Sequence, residues 1–451
     1  MIAIITETLE KQVLSNINEK DVIDLAKELV KIPSFAGEET PVAEFLAQCY
    51  NDHGIHVRMQ EVEPRRFQPL ATLKGTDSGT SLLLNGHMDI DPLFRDQKDP
   101  FKPMVKDGLL YGAGLCNMKA GVTAMVMAMI AIAKAGVDLK GDLFCNPVVG
   151  ELQGGVGTLY TIKHGPRPDA VVIPEPTHQA LLLKHGGVLD VAITTLGRSK
   201  HISKREGSID AMKKMWAIQQ ALYEMDAKKK WTFKFDPDLP DLPLMNLGSI
   251  IGGRGRNYEL RGPYDVSDVC TLFIDIRINA SQSLETVKRD LTTLLEKLKE
   301  IDPKLEYEIQ FPPASAENLG RSISPFNKHI ADIIGLYMPP FSMSEDEYLV
   351  KAVSLSHEKV TGNPPIKIIS EATCRLAGGR VVYAGTDAAH YWSRGIPAFC
   401  YGPGCTEQPY LKMGHHPPVP IIQILTCTKA LALTALDICT KTKKEYNRLR
   451  S

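Results

Sequence analysis

The sequence predicts an α/β protein: a layered domain with a mixed sheet and helices on both faces, plus an inserted α+β domain. Three observations carry that expectation. Short apolar runs of strand length alternate with stretches of helical period, the signature of a layered sheet-and-helix domain. A helix near residues 118–133 is apolar all round, which a protein tolerates only where the helix is buried. A second strand–helix–strand–helix–strand series begins near Leu181 and closes at the Pro312-Pro313 turn. With 451 residues, 43% hydrophobic and 23% charged, the chain can bury a large core split over two domains.

The elements follow in order. Residues 20–31 and 40–53 carry helical periodicity, separated by the break at Pro33-Ser34. Strands are expected at Val57–Gln60, Ser81–Leu84, Leu143–Val149 and Ala170–Ile173, with the apolar helix Met118–Ala133 between the second and third. Its methionines read as core filler. The second pattern contributes a strand at Val188–Thr195, a helix at Ser208–Met225, a strand at Leu272–Ile278, a helix at Leu284–Leu298 and a strand at Leu305–Phe311. These imply a division into residues 1–190, 191–313 and 314–451, the middle part being the inserted domain. A helix over 345–361, a strand at Ala398–Tyr401 and a closing helix Ile421–Thr440 complete the first domain.

Charge narrows the partners. A net charge of −1 gives no overall field toward nucleic acid or an anionic membrane, so small molecules are the expected partners. The N-terminus lacks a signal-peptide pattern, and the apolar stretch Val122–Ala133 is too short to span a bilayer, which together predict a cytoplasmic protein. Nine scattered cysteines without a Cys-x-x-Cys pair suit a reducing compartment and give no disulfide framework; Cys116 is expected to be a small buried thiol.

Chemistry is expected at strand ends, where open α/β sheets bind ligands. His87 follows one strand, and Asp89 two residues on is placed to accept from the other imidazole nitrogen. Glu151 and Glu175 follow two more strands. One histidine and two carboxylates at three strand ends can converge on one cleft.

In the same order stand Gly86-His87-Met88-Asp89, Gly114-Leu115-Cys116-Asn117-Met118-Lys119, Glu151-Leu152-Gln153-Gly154-Gly155, Glu175-Pro176-Thr177, Gly385-Thr386-Asp387-Ala388, Gly402-Pro403-Gly404 and a late histidine. Over nearly its whole length the chain resembles the M20 metallopeptidase and amidohydrolase family. The resemblance implies a catalytic domain with an inserted lid and dimerisation domain, hence a homodimer through the lid. It implies metal ligands at His87, Asn117, Glu175, Leu152 and His415, with Glu151 as catalytic base and Asp89 orienting His87. Asn117 and Leu152 stand where the family has acids, so the Asn117 ligand is weak or lost. His416 is the alternative to His415, but Pro417 fits the family's His-x-Pro pattern with His415. The same resemblance makes His201, after Gly197-Arg198-Ser199-Lys200, the lid histidine that stabilises an oxyanion. Asn257, Arg277, Asp387 and Gly404 become substrate-binding positions, while Asp91 and His390 stay unassigned.

The altered ligands set the cofactor expectation. Two dications about 3.5 Å apart repel by about 19 kcal/mol at an effective dielectric of 20, and of three ligand carboxylates only Glu175 remains. A dinuclear zinc centre is therefore not expected; one zinc or other divalent ion per chain, or a metal-free site, is. The leading function is hydrolysis of an amide bond in an N-acyl amino acid or small peptide. The alternatives are metal-independent acyl transfer or amide formation on the same scaffold, and a non-catalytic amino-acid-binding homologue.

Overall fold

A computed structural model describes residues 2–76, 78–93, 98–255, 263–312, 337–379, 381–405 and 417–450. Along the chain run α1 (Ile2–Ser15), α2 (Glu19–Lys31), α3 (Thr40–Asp52), β1 (His56–Glu63), β2 (Arg66–Leu73), β3 (Leu82–His87), α4 (Ala120–Ala135), β4 (Leu143–Val148), α5 (Val156–His164), β5 (Ala170–Ile173) and β6 (Leu181–Leu182). Then come β7 (Gly187–Leu196), α6 (Ala211–Ala227), β8 (Leu244–Gly253), β9 (Val269–Ile278), α7 (Leu284–Ile301) and β10 (Glu306–Gln310). The chain closes with α8 (Tyr348–Thr361), β11 (Lys367–Ile368), β12 (Ala398–Cys400) and α9 (Ile421–Cys439), besides shorter pieces and a C-terminal helix.

Two compact units result. The first comprises Met1–His185, Phe341–Val382 and Thr386–Ser451, and the second Gly186–Pro340 with Tyr383–Gly385.

In the first unit, eight strands form a mixed sheet in the order β1-β2-β4-β3-β5-β12-β6-β11. Its centre is parallel: β3 pairs in parallel with β4 on one side and β5 on the other, and β12 continues in parallel from β5. Strands β3, β4 and β5 are buried along their whole length, as befits largely apolar strands covered on both faces, with Asn85, His87 and Asn146 as buried polar exceptions. Helix α4 has no polar face because it is enclosed; it packs on α9, α2, β3 and β4. The stretch Leu115–Ala135 and helix α9 are long and apolar enough to cross a membrane, but 94% and 78% of their most apolar windows are buried within the fold. Burial inside a layered domain accounts for their composition.

In the second unit, β8-β9-β7-β10 form an antiparallel sheet, and Tyr337–Met338 pairs with β7. Helices α6 and α7 bury Met215, Ile218, Leu222, Leu291 and Leu295 with the inward residues of β7 and β9. Each helix starts at a side-chain cap: Asp210 accepts from the Met212 and Lys213 amides, and Ser283 and Thr286 form a capping box.

One disulfide joins Cys116 to Cys405, with Cα atoms 5.6 Å apart. The expectation of no disulfide framework, with Cys116 a small buried thiol, is thereby corrected. The two cysteines lie 289 positions apart in sequence, beyond the reach of any local spacing rule. The other seven are free. Denatured without reductant, the protein should show seven reactive thiols, rising to nine after reduction. Nine from the start, by thiol titration, would deny the bridge.

Candidate active site

Parallel pairing of β4, β3 and β5 aligns their carboxyl ends, and each end delivers one functional side chain. His87 is the last residue of β3, Glu151 follows β4 by three residues, and Glu175 follows β5 by two. All are buried: His87 is 1%, Glu151 7% and Glu175 5% exposed. His87 Nε2 lies 3.9 Å from both Glu151 Oε2 and Glu175 Oε1. The three side chains thus meet as the strand-end reading anticipates.

Asp89 acts through the backbone more than through the imidazole. His87 Nδ1 is 2.8 Å from the Asp89 main-chain oxygen and 3.5 Å from its carboxylate. That carboxylate accepts the amides of Glu151 and Leu152 at 3.1 and 2.9 Å. Asp89 therefore fixes the ring of His87 and the backbone of Glu151 together; burial raises its carboxyl, but the nearby His87 first, and then the two amide bonds, hold it below the usual range.

Asn117 faces the other imidazole nitrogen, its Oδ1 3.1 Å from His87 Nε2. It sits at a non-helical kink within the segment Leu115–Lys119 that precedes α4. Lys119 ties that segment down: its buried Nζ donates to the carbonyls of Leu29 and Ile32 at the end of α2, and burial pushes its pKa down to about 7. Gly121, next in α4, passes so close to β5 that a Cβ would stand 2.0 Å from the Pro174 oxygen, so only glycine allows the helix to seat beside Glu175.

Electrostatics follow from crowding. Burial opposes charge on His87, but the hydrogen bond to Asp89 and the fields of Glu151 and Glu175 outweigh it and hold the imidazole well above its usual pKa. Burial drives Glu151 well above the ordinary carboxyl range, relieved by His87 and reinforced by Glu175, Asp387 and Asp89. Glu175 is raised for the same first reason. Asp387, which accepts from Thr158 Oγ1 at 2.8 Å, is pushed up to about 7 by burial against that hydrogen bond.

The remaining expected residues are placed as follows. His390 Nε2 lies 3.0 Å from the Gly154 carbonyl, and burial keeps the ring neutral, with a pKa down to about 4. The Gly404 amide donates to Gln423 Oε1 at 2.7 Å. In the second unit, His201 is exposed, with Nδ1 2.8 Å from Ser203 Oγ, and Arg277 forms a two-pronged pair with Asp275 at 2.6 Å and donates to the Tyr383 carbonyl. Asn257, His415 and His416 lie outside the described residues. Sequence reasoning missed the partners of the Glu151 turn, Glu39, Arg66 and Gln68, which lie far from it in the chain and match no motif.

The donor set bears on a metal. Among the described residues, no three His, Cys, Asp or Glu side chains are grouped as a metal cage. Leu152 offers no donor and Asn117 only a neutral oxygen beside His87, a donor set poor in the carboxylates that two adjacent dications require. A single ion fits the remainder. Among the described residues Glu175 Oε1 is buried with no hydrogen-bond partner, 3.9 Å from His87 Nε2, and an orphaned buried carboxylate oxygen is what a cation would satisfy.

A buried glutamate beside a histidine and a second carboxylate, at the carboxyl ends of parallel strands, is an arrangement suited to hydrolysis on an α/β scaffold. The sequence profile of Peptidase family M20/M25/M40 matches residues 83–437, and the chain belongs to that family. It is thus an M20 hydrolase. It is 25% identical to an N-formyl-4-amino-5-aminomethyl-2-methylpyrimidine deformylase of Bacillus subtilis, over 97% of this chain and 99% of that one. It is 28% identical to an acetylornithine deacetylase of Shigella sonnei, over 64% of this chain and 76% of the other. Its fold matches that of the dipeptidase Dug1p of Saccharomyces cerevisiae with a TM-score of 0.68 at 13% identity, covering 95% of this chain and 98% of that one.

Proposed function

We propose that this chain hydrolyses the amide bond of a small N-acylated substrate, an N-formyl or N-acyl amine, amino acid or short peptide, with Glu151 as general base and no more than one divalent ion. The observation that carries this reading is the meeting of His87, Glu151 and Glu175 at three neighbouring strand ends. Glu151, its proton affinity raised by burial, takes a proton from the attacking water and returns it to the leaving nitrogen. Asp89 fixes both His87 and the Glu151 backbone. His87, Glu175 and the Asn117 oxygen, with His415 as a further ligand, would hold one zinc or other divalent ion, which supplies polarisation of the scissile carbonyl when bound. Asp387 and Gly404, with Asn257 and Arg277, are the proposed substrate positions, and His201 the proposed oxyanion donor.

A second reading rests on one contact. The Asn117 oxygen on His87 Nε2 suits a protonated, metal-free imidazole, in which case Glu151 serves metal-independent acyl transfer or amide formation. Incubation with a panel of N-formyl and N-acetyl amines and amino acids, reading released amine before and after chelation, tests both. Chelator-sensitive release supports the first reading, chelator-resistant chemistry the second, and no release from any member overturns hydrolysis.

The cytoplasmic homodimer also belongs to the proposal. Helix α6 buries Met215, Ile218 and Leu222 but exposes Met212, Trp216 and Tyr223 at 54, 63 and 57%. Met212 lies against Gly252 of β8, the edge strand, which exposes Ile250. An apolar helix face beside an open strand edge suits self-complementary pairing with a second copy. Light scattering should give twice the 49.7 kDa chain mass, and Trp216→Glu with Ile250→Lys should give monomer. A monomeric wild type would refute the pairing.

A further inference from the structure

The turn that carries Glu151 is held by more than Asp89. Gly150, immediately before it, adopts φ +66°. Its amide donates to Glu39 Oε1 at 3.2 Å, and a Cβ on it would stand 2.9 Å from Arg66 Nη2. Glu39 is fully buried and Arg66 is 5% exposed. Arg66 grips Glu39 with Nε and Nη2, the Nε contact being 2.9 Å, and holds Glu63 with Nη1 at 2.8 Å. Two residues along β2, on the same face by the period of a strand, buried Gln68 accepts the Val149 amide at 3.2 Å and donates to the Gly157 carbonyl at 3.1 Å. The entry to the Glu151 turn is therefore held at Val149 by Gln68 and at Gly150 by Glu39, itself gripped by Arg66 of β2, and Gln68 also takes the Gly157 carbonyl beyond the turn.

An ion pair at this depth is a poor device for stability alone, because removing two charges from water offsets much of their attraction and apolar replacements are often neutral or stabilising. What the pair supplies here is direction: a forked guanidinium fixes one carboxylate oxygen on the Gly150 amide. Backbone bonds at 150, 151 and 152 then come from two different carboxylates, Glu39 and Asp89, leaving the Glu151 side chain as the part free to work.

We propose that the buried Glu39–Arg66 pair is a positioning device for the general base, setting the Glu151 backbone through the Gly150 amide. The proposal rests on the reading of Glu151 as base. Glu39 and Arg66 bond each other, Glu63 and the Gly150 amide rather than the His87, Glu151 and Glu175 side chains, so loss of the pair should lower kcat and leave KM nearly unchanged.

The test uses the full chain and the panel member released fastest, whether N-formyl or N-acetyl. Three variants are compared: Arg66→Lys, which keeps charge but loses the fork; Glu39→Met with Arg66→Met, which removes the pair but keeps apolar bulk; and Glu39→Gln, which keeps an oxygen toward Gly150. Thermal unfolding, kcat, KM and deuterium uptake of the peptide spanning 149–153 are read for each. Expected are folded proteins in which Arg66→Lys and the double variant lose about ten- to a hundredfold in kcat, with KM within twofold and faster uptake, and in which Glu39→Gln loses less than either. Unchanged kcat in folded variants overturns the proposal, as does a loss no larger than the unfolded fraction. If the double variant does not fold, Arg66→Lys decides by the same readings. Glu151→Gln, measured alongside, keeps the two claims separate: a Glu151→Gln enzyme with full activity refutes the base, whatever the Glu39 and Arg66 variants do.

Discussion

Glu151→Gln is expected to lower amide hydrolysis by about 10²–10⁴-fold, the range that general acid–base catalysis contributes, in a protein that unfolds no earlier than wild type. The substitution keeps shape and removes the carboxylate proposed to transfer the proton. No stability should be lost, because burial disfavours the Glu151 charge to begin with. The pH profile gives an independent check. A raised acid takes up its charge late, so the wild-type rate should climb with pH through a limb above the ordinary carboxyl range, and that limb should vanish in the variant. A Gln variant retaining the limb would assign the base to another group.

The second large effect concerns metal content. Asn117→Asp with Leu152→Glu should raise bound zinc toward two per chain, measured by elemental analysis after dialysis against trace zinc, from no more than one in wild type. Two restored carboxylates offset the mutual repulsion that a pair of dications would otherwise meet at this spacing. Asn117 already faces His87 Nε2, and Leu152 directly follows Glu151, so the introduced acids start from the positions that the resemblance to the family assigns to metal ligands. Wild-type protein carrying two zinc ions, or a double variant with unchanged stoichiometry, would remove the basis of the one-ion reading.

Much of this arrangement was legible in the sequence, and the reasons differ by element. Helices α2 and α3 and strands β3 and β5 follow hydrophobic period to within a few residues. Helix α4 was readable because an all-apolar helix has only one place to go. Strand β2 was hidden: its inward positions hold Arg66 and Gln68, so the alternation that marks a strand is inverted. Strand β8 was obscured by Gly248, Gly252 and Gly253 and by its exposure at a sheet edge. In the site, His87, Glu151 and Glu175 were readable because each ends an apolar run. The hydrogen-bond partners of the Glu151 turn were not, since Glu39 and Arg66 precede Gly150 by more than eighty residues and a polar residue's partner across such a distance leaves no periodic trace. The binding of His87 Nδ1 to the main chain of Asp89, with the carboxylate turned toward backbone amides, likewise depends on turn geometry that composition does not encode.

The bridge between Cys116 and Cys405 encircles the greater part of the polypeptide. A protease cutting anywhere inside that circuit would sever the backbone without releasing either piece. The nicked molecule would migrate as one covalent species on a denaturing gel and separate into fragments only once a thiol reagent was added.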